Sequence, residues 1–335
     1  MKEPAYGPGL NLQREQRFDL PSNIPWPELD RRYFAFAASL PTPLDRLACN
    51  RQLFTGKGDS ISFHSLSELH PLITSLPWLF LDAFPGMSSG DVLDIAEAGI
   101  FLSMGMLLQD AEQDQQLDSQ PGVSPLHTQL IIAAFRKFHA CFEASSSFWS
   151  FFDQCVQEYT QALVLEKEHW GKVTEYPLEL MYKIGHGKVA LLKTIVAALA
   201  LKGGDKTQIG QLEMAMDFLT AALQLGDDIL DWPVDYRTRN FTLPLTWTIP
   251  VENWPVPSLT VQELEQLFER SYILEKLIVQ VLEWFQSALT VVEELNCSGW
   301  MAFVNSCLRM TRNYQESFVA RRLLRAIHLH PQYNE

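Results

Sequence analysis

Leu223-Gln-Leu-Gly-Asp227-Asp228-Ile-Leu-Asp231-Trp-Pro-Val-Asp235 sets four carboxylates within nine residues, directly behind an apolar run. The lead-in, Met214-Ala-Met-Asp-Phe-Leu-Thr-Ala-Ala-Leu, is strongly helix-forming. Asp has poor helix propensity and like charges four apart repel, so acids in this position mark the end of a buried helix rather than its decoration. On such a helix Asp227 and Asp231 are four apart and Asp228 and Asp231 three apart, so their oxygens converge on one side. Converging hard oxygens suit Mg²⁺, which takes a few carboxylates together with waters and phosphate oxygens. Pro233 has no amide proton and pushes Trp232 out of the helical region, so the helix is predicted to end near Asp231, with Asp235 a fourth acid beyond it.

The same design occurs earlier. Gly99-Ile-Phe-Leu-Ser-Met-Gly-Met-Leu-Leu-Gln-Asp110-Ala-Glu-Gln-Asp114 is a second apolar helix running into two acids at i,i+4. Two such helices, far apart in sequence, can face one another and hold a metal cluster between them. The pair resembles the two metal-binding motifs of the class I isoprenoid synthases. Gln224 to Asp231, followed by Arg237-Thr-Arg-Asn-Phe-Thr-Leu-Pro-Leu245, is similar to the second motif and its following loop, and the likeness runs from about Ser88 to Pro244. The first motif is DxxxD, as on the squalene synthase side of that superfamily, and not the DDxxD of chain-elongating enzymes; no Arg-Arg-Gly follows it closely.

The resemblance implies an all-α fold, a single large helical bundle around a central cavity. It implies a Mg²⁺ cluster on Asp110, Asp114, Asp227, Asp228, Asp231 and Asp235, the first five also serving as the catalytic acids, and a prenyl diphosphate as substrate. The leading expectation is a terpene synthase that ionises a linear prenyl diphosphate, releases diphosphate, and cyclises or deprotonates the carbocation. The alternative is a prenyltransferase joining two isoprenoid diphosphates by elongation or head-to-head condensation. A reading from another class is a non-catalytic partner subunit that kept the fold, against which stand two populated acidic sites. A homodimer is expected from the resemblance alone.

A diphosphate needs cationic partners. Lys188 is the first candidate, since it follows Gly185 and Gly187 on the helix before the second motif, where backbone can break and approach a ligand. Arg237 and Arg239 follow the acids, and Arg offers planar, multiple donors for phosphate. Arg309, Arg312 and Tyr314 lie near a chain end that in the superfamily folds over the active site. Residues one and two turns before each acidic end are expected to wall the substrate pocket: Ser103, Met106 and Leu107, and Thr220, Ala221, Leu223 and Gln224. His186 is a candidate base or a structural histidine, and Phe101 and Phe218 are aromatic faces for a cation or plain core.

The composition is that of an ordinary globule: 47% hydrophobic and 20% charged over 335 residues. A net charge of -14 excludes the basic footprint that nucleic acid requires, yet a diphosphate held through metal ions is compatible with acidity. Five scattered cysteines without a CxxC spacing point to reduced thiols and a cytoplasmic location rather than disulfides or zinc. The start carries no secretory-type apolar core, and the most apolar run, 189–201, contains Lys193 and is shorter than the ~20 residues of a membrane span. Residues 1–27, rich in Pro, Gly and polar groups, read as an arm laid over a single domain of 28–335. The spacing there is helical throughout, giving roughly ten helices. Among them are one over Leu66 to Phe84 and one from Val261 to about Leu295.

Overall fold

The computed structural model describes residues 18–55, 62–113 and 122–329. Among these the chain is a helical assembly without strands; two isolated bridges, Asn50 with Ser62 and Trp170 with Asn240, are its sole β pairings. In order the helices are α1 (Trp26–Ser39), α2 (Leu44–Leu47), α3 (Arg51–Thr55), α4 (Pro71–Thr74), α5 (Leu76–Phe80), α6 (Ser89–Gln113), α7 (Val123–Cys141) and α8 (Ser147–Lys167). After these come α9 (Leu178–Gly187), α10 (Lys193–Gly203), α11 (Ile209–Thr238), α12 (Leu243–Thr248), α13 (Val261–Ser271), α14 (Ile273–Thr290) and α15 (Ser298–Leu329).

The two helices that carry the acids, α6 and α11, are with α15 the longest described. α11 buries Leu212, Ala215, Met216, Leu219, Ala222, Leu225 and Ile229, a stripe at spacings of three and four that ends beside the acids. Each large side chain in such a stripe contributes about 1.5–3 kcal/mol on leaving water, so packing rather than propensity fixes this helix. α10 is buried on every side, from Lys193 through Ala200, and forms the centre of the assembly. No single helix among the described residues is long and apolar enough to cross a membrane, although the bent pair α9 and α10 has the length and composition for it.

Three expectations change. The stretch from Leu66 to Phe84 is not one helix: His70 before Pro71 is extended, and a new helix starts there, while Ser75 breaks the chain again before α5, which takes Pro77 in its first turn, where no amide proton is needed. The helix expected over Val261 to Leu295 breaks at Tyr272, whose φ of 56° ends α13, and the Arg322 guanidinium stacks over its ring at 3.6 Å. The third concerns the second acidic stretch. α11 runs through Pro233 to Thr238, giving up one backbone hydrogen bond to Ile229. Tertiary anchors hold that last turn and a half: Trp232 packs on Phe268 at 4.7 Å, and the Tyr236 hydroxyl donates to the Leu259 carbonyl at 2.6 Å.

Candidate active site

The continuation of α11 decides where Asp235 stands. It lies one helical turn beyond Asp231 and two beyond Asp228, on their side of the helix, with the Thr242 hydroxyl 3.4 Å from its Oδ2. Burial pushes its carboxyl up to about 8, and the neighbouring charges of Asp228, Asp227 and Asp231 push in the same direction. Asp228 is 5% exposed. Burial raises its carboxyl to about 7, opposed by a hydrogen bond that Gln224 Nε2 donates at 2.9 Å. The four acids of the stretch thus form one electrostatic group. Forcing all four to ionise together is costly, and a divalent cation would relieve that cost.

Lys188 joins this group to the first acidic helix. Its ammonium lies 3.1 Å from Asp110 Oδ1 and 2.8 Å from Glu166 Oε1 of α8, and both Lys188 and Glu166 act electrostatically on Asp228. Tyr159 donates to Gln109 beside Asp110 at 3.1 Å. Tyr176, buried near Asp228 and Glu166, has its phenol raised well above the usual range, first by burial and then by those charges. One end of the assembly therefore gathers Asp110, Glu166 and the α11 acids from three helices, with Lys188 from the end of α9. Asp114 lies outside the described residues.

Glu166 is the member that sequence reasoning missed. It continues the buried stripe of α8, four residues after Ala162, and the lysine that it meets there lies 22 positions on, so its tie to the site shows only in the fold. Its second oxygen, Oε2, is enclosed without a hydrogen-bond partner among the described residues.

Of the remaining candidates, Arg237 and Arg239 are exposed at the end of α11, where Gly171 N donates to the Arg239 carbonyl at 2.8 Å. That bond and the Trp170–Asn240 bridge tie the loop after α8 to the loop after α11. Arg309 is turned elsewhere, toward Asp19 at 2.7 Å; Arg312 is exposed, and Tyr314 lies against Phe318 with ring centres 6.1 Å apart. Ser103 and Thr220 each donate to their own helix backbone, at Gly99 and Met216. Met106 is buried, Leu107 and Leu223 are half-buried, and Ala221 abuts Gly185. Phe101 is core, 4.5 Å from Phe36, and Phe218 lies 5.8 Å from Tyr182. A surface depression of about 570 Å³ beside Arg31, Phe36, Phe101, Arg136 and Lys137 includes none of the acids just described.

No family model matches the sequence, and no curated protein matches it. Solved structures do. A decaprenyl diphosphate synthase from Rhodobacter capsulatus superposes with a TM-score of 0.66 at 16% identity, over 85% of this chain and 95% of that one. A polyprenyl synthase from Caulobacter crescentus CB15, complexed with calcium and isoprenyl diphosphate, gives 0.65 at 15% identity, over 84% and 92%. The chain has the class I isoprenoid synthase fold. A geranylgeranyl pyrophosphate synthase from Lactobacillus brevis ATCC 367 shares this isoprenoid synthase fold, with 0.62 at 15% identity over 87% and 95%. At such identities the likeness speaks for the fold, and the chemistry has to come from the site.

Proposed function

We propose that this chain is a divalent-metal-dependent enzyme acting on an isoprenoid diphosphate, and that it joins isoprenoid diphosphates as a prenyltransferase. The observation that carries the first part is Lys188, whose ammonium lies among carboxylates from α6, α8 and, within electrostatic reach, α11. Carboxylates alone repel a diphosphate. A cluster of hard oxygens with one tethered cation among them fits a ligand that is itself an anion coordinated by metal ions. Asp110, Asp227, Asp228, Asp231 and Asp235 are the residues that would hold the ions, and the ions, when bound, would neutralise charge as diphosphate departs. Lys188 then donates to a diphosphate oxygen, while the buried Asp228 and Tyr176 keep that wall of the site out of bulk water.

The second part rests on the names of the fold neighbours, which are prenyl diphosphate synthases, against the terpene synthase reading that leads on sequence. Favouring the latter is Ala111, which leaves Asp110 without an adjacent acid. The deciding experiment is product analysis by gas chromatography after incubation with allylic diphosphates of increasing length and Mg²⁺. The products are dephosphorylated before injection, and each substrate is run with and without isopentenyl diphosphate. Longer prenyl chains formed only with isopentenyl diphosphate support coupling. Without it, a hydrocarbon of the substrate's own carbon number replaces coupling by cyclisation or elimination, a product of twice that number is head-to-head coupling, and consumption of neither substrate overturns the enzymatic reading.

A further inference from the structure

Lys188 occupies a break. α9 ends at Gly187, a 3-10 turn over Ala190–Leu192 leads into α10, and that turn with α10 is bent by 49° from α9. Where the ammonium of Lys188 points therefore depends on how firmly the two segments are fixed to one another. Behind the break stands a group of charges outside the acidic site itself. His186, the last side chain before the break, donates from Nδ1 to Glu158 Oε1 at 2.6 Å; Lys193, the first residue of α10, donates to the same oxygen at 2.8 Å. Asp217 of α11 repeats the pattern, with Oδ1 2.7 Å from Lys193 Nζ and 3.5 Å from His186 Nδ1. Glu213 adds a third carboxylate 3.4 Å from Lys193. Two carboxylates, one from each flanking helix, thus bridge the segments on both sides of Lys188.

Glu158 and Lys193 hold one another in their ionised forms, whereas burial raises the Glu213 carboxyl. Burial alone would raise the Glu158 carboxyl, but the hydrogen bonds from His186 and Lys193 hold it below the usual value. Burial opposes the charge on Lys193, yet Asp217 and Glu158 raise its ammonium well above the ordinary lysine range. Glu158, His186 and Asp217 bring ligand atoms within 4.8 Å of one another, a spacing that would also admit a metal ion. Lys193, 3% exposed and in contact with both carboxylates, already supplies the cation there.

Glu158 lies two turns before Glu166 on the same side of α8. One helix therefore holds the break from behind through Glu158 and grips Lys188 in front through Glu166. Resting on the functional reading above, we infer that Glu158, with Asp217, is a positioning residue: it staples α9 to α10 and so fixes Lys188 for its diphosphate ligand. A purely structural counter-ion for Lys193 would affect stability without acting through Lys188, and a double-mutant cycle separates the two roles.

The probe is Mg²⁺ with inorganic pyrophosphate, titrated calorimetrically into the full chain, with the melting temperature recorded for each variant. Glu158→Gln leaves Asp217 and Glu213 on Lys193, so the buried ammonium stays compensated. His186→Phe cuts the staple on the α9 side and leaves all three carboxylates in place, and it decides the matter if Glu158→Gln melts. Each is expected to weaken pyrophosphate binding about 10-fold, the usual loss when a supporting partner of a binding residue is removed. Lys188→Met is expected to lose more, and adding Glu158→Gln to it should cost nothing further. Wild-type affinity in folded Glu158→Gln and His186→Phe, or a loss that adds in full to that of Lys188→Met, overturns the positioning role alone. A wild type that binds no Mg²⁺-pyrophosphate overturns the functional reading beneath it.

Discussion

Replacing Asp228 by Asn should stabilise the metal-free protein, by an amount that grows as pH rises from about 4 to about 7. The carboxyl is 5% exposed, shares its stretch of α11 with Asp227, Asp231 and Asp235, and has one donor, Gln224, at 2.9 Å. Its value is carried from 3.8 to about 7, chiefly by burial. The folded state therefore binds this proton more tightly than the unfolded chain. The stability tied to that proton is complete below about 4 and is lost as pH rises through about 7. A displacement of that size corresponds to about 4 kcal/mol. The four acids titrate as a coupled group, and relaxation and water entry shed part of the cost, so about 2 kcal/mol is the working figure for the single substitution. For a chain of this length that is a rise of roughly 3 °C in melting temperature. The assay is thermal unfolding of wild type and Asp228→Asn in chelator at about pH 4 and at pH 8. The two should melt close together at the lower pH and separate at pH 8 with the variant higher. Mg²⁺ with pyrophosphate should reverse the order by stabilising the wild type through mass action. A variant that melts below wild type at pH 8 without metal would refute the reasoning, because Asp228 would then be a stabilising partner rather than a strained one.

The remaining predictions concern the frame around the acids. Lys188→Met should lower turnover by about 100-fold or more, as loss of a donor to developing negative charge does, in a steady-state diphosphate-release assay. Gly187→Ala would bring a methyl group 2.6 Å from the Ala162 Cβ, between two packed helices. It should cost about 1–3 kcal/mol in urea unfolding. Pro233→Ala restores the amide proton missing from α11 and should stabilise by about 1 kcal/mol, a figure reduced by the extra freedom the unfolded chain gains. A lower urea midpoint would show that the proline fits its turn without cost.

The helical architecture and both acidic helices were legible because they rest on local repetition. The apolar stripe of α11 runs at a regular spacing into Asp227 and Asp228, and no distant contact is needed to see it. Proline gives the sharper lesson. The rule that proline starts or stops helices holds at Pro71 and Pro77, each at the first or second position of a helix, where its missing amide proton has no helical acceptor to lose. At Pro233 the same rule gives the wrong end, because Phe268 from α13 and the carbonyl of Leu259 hold the turn that proline weakens. Those two partners lie 36 and 23 positions away, so a window of a few residues sees the cost and none of the compensation. The sequence rule therefore places Asp235 outside the helical repeat, although its spacing of four residues from Asp231 is the one that brings it back to the other acids. Glu166 fails to show for a related reason. Its place four residues after Ala162 continues the buried stripe of α8, but the lysine that it meets there is presented from a break in another helix, which no local window shows.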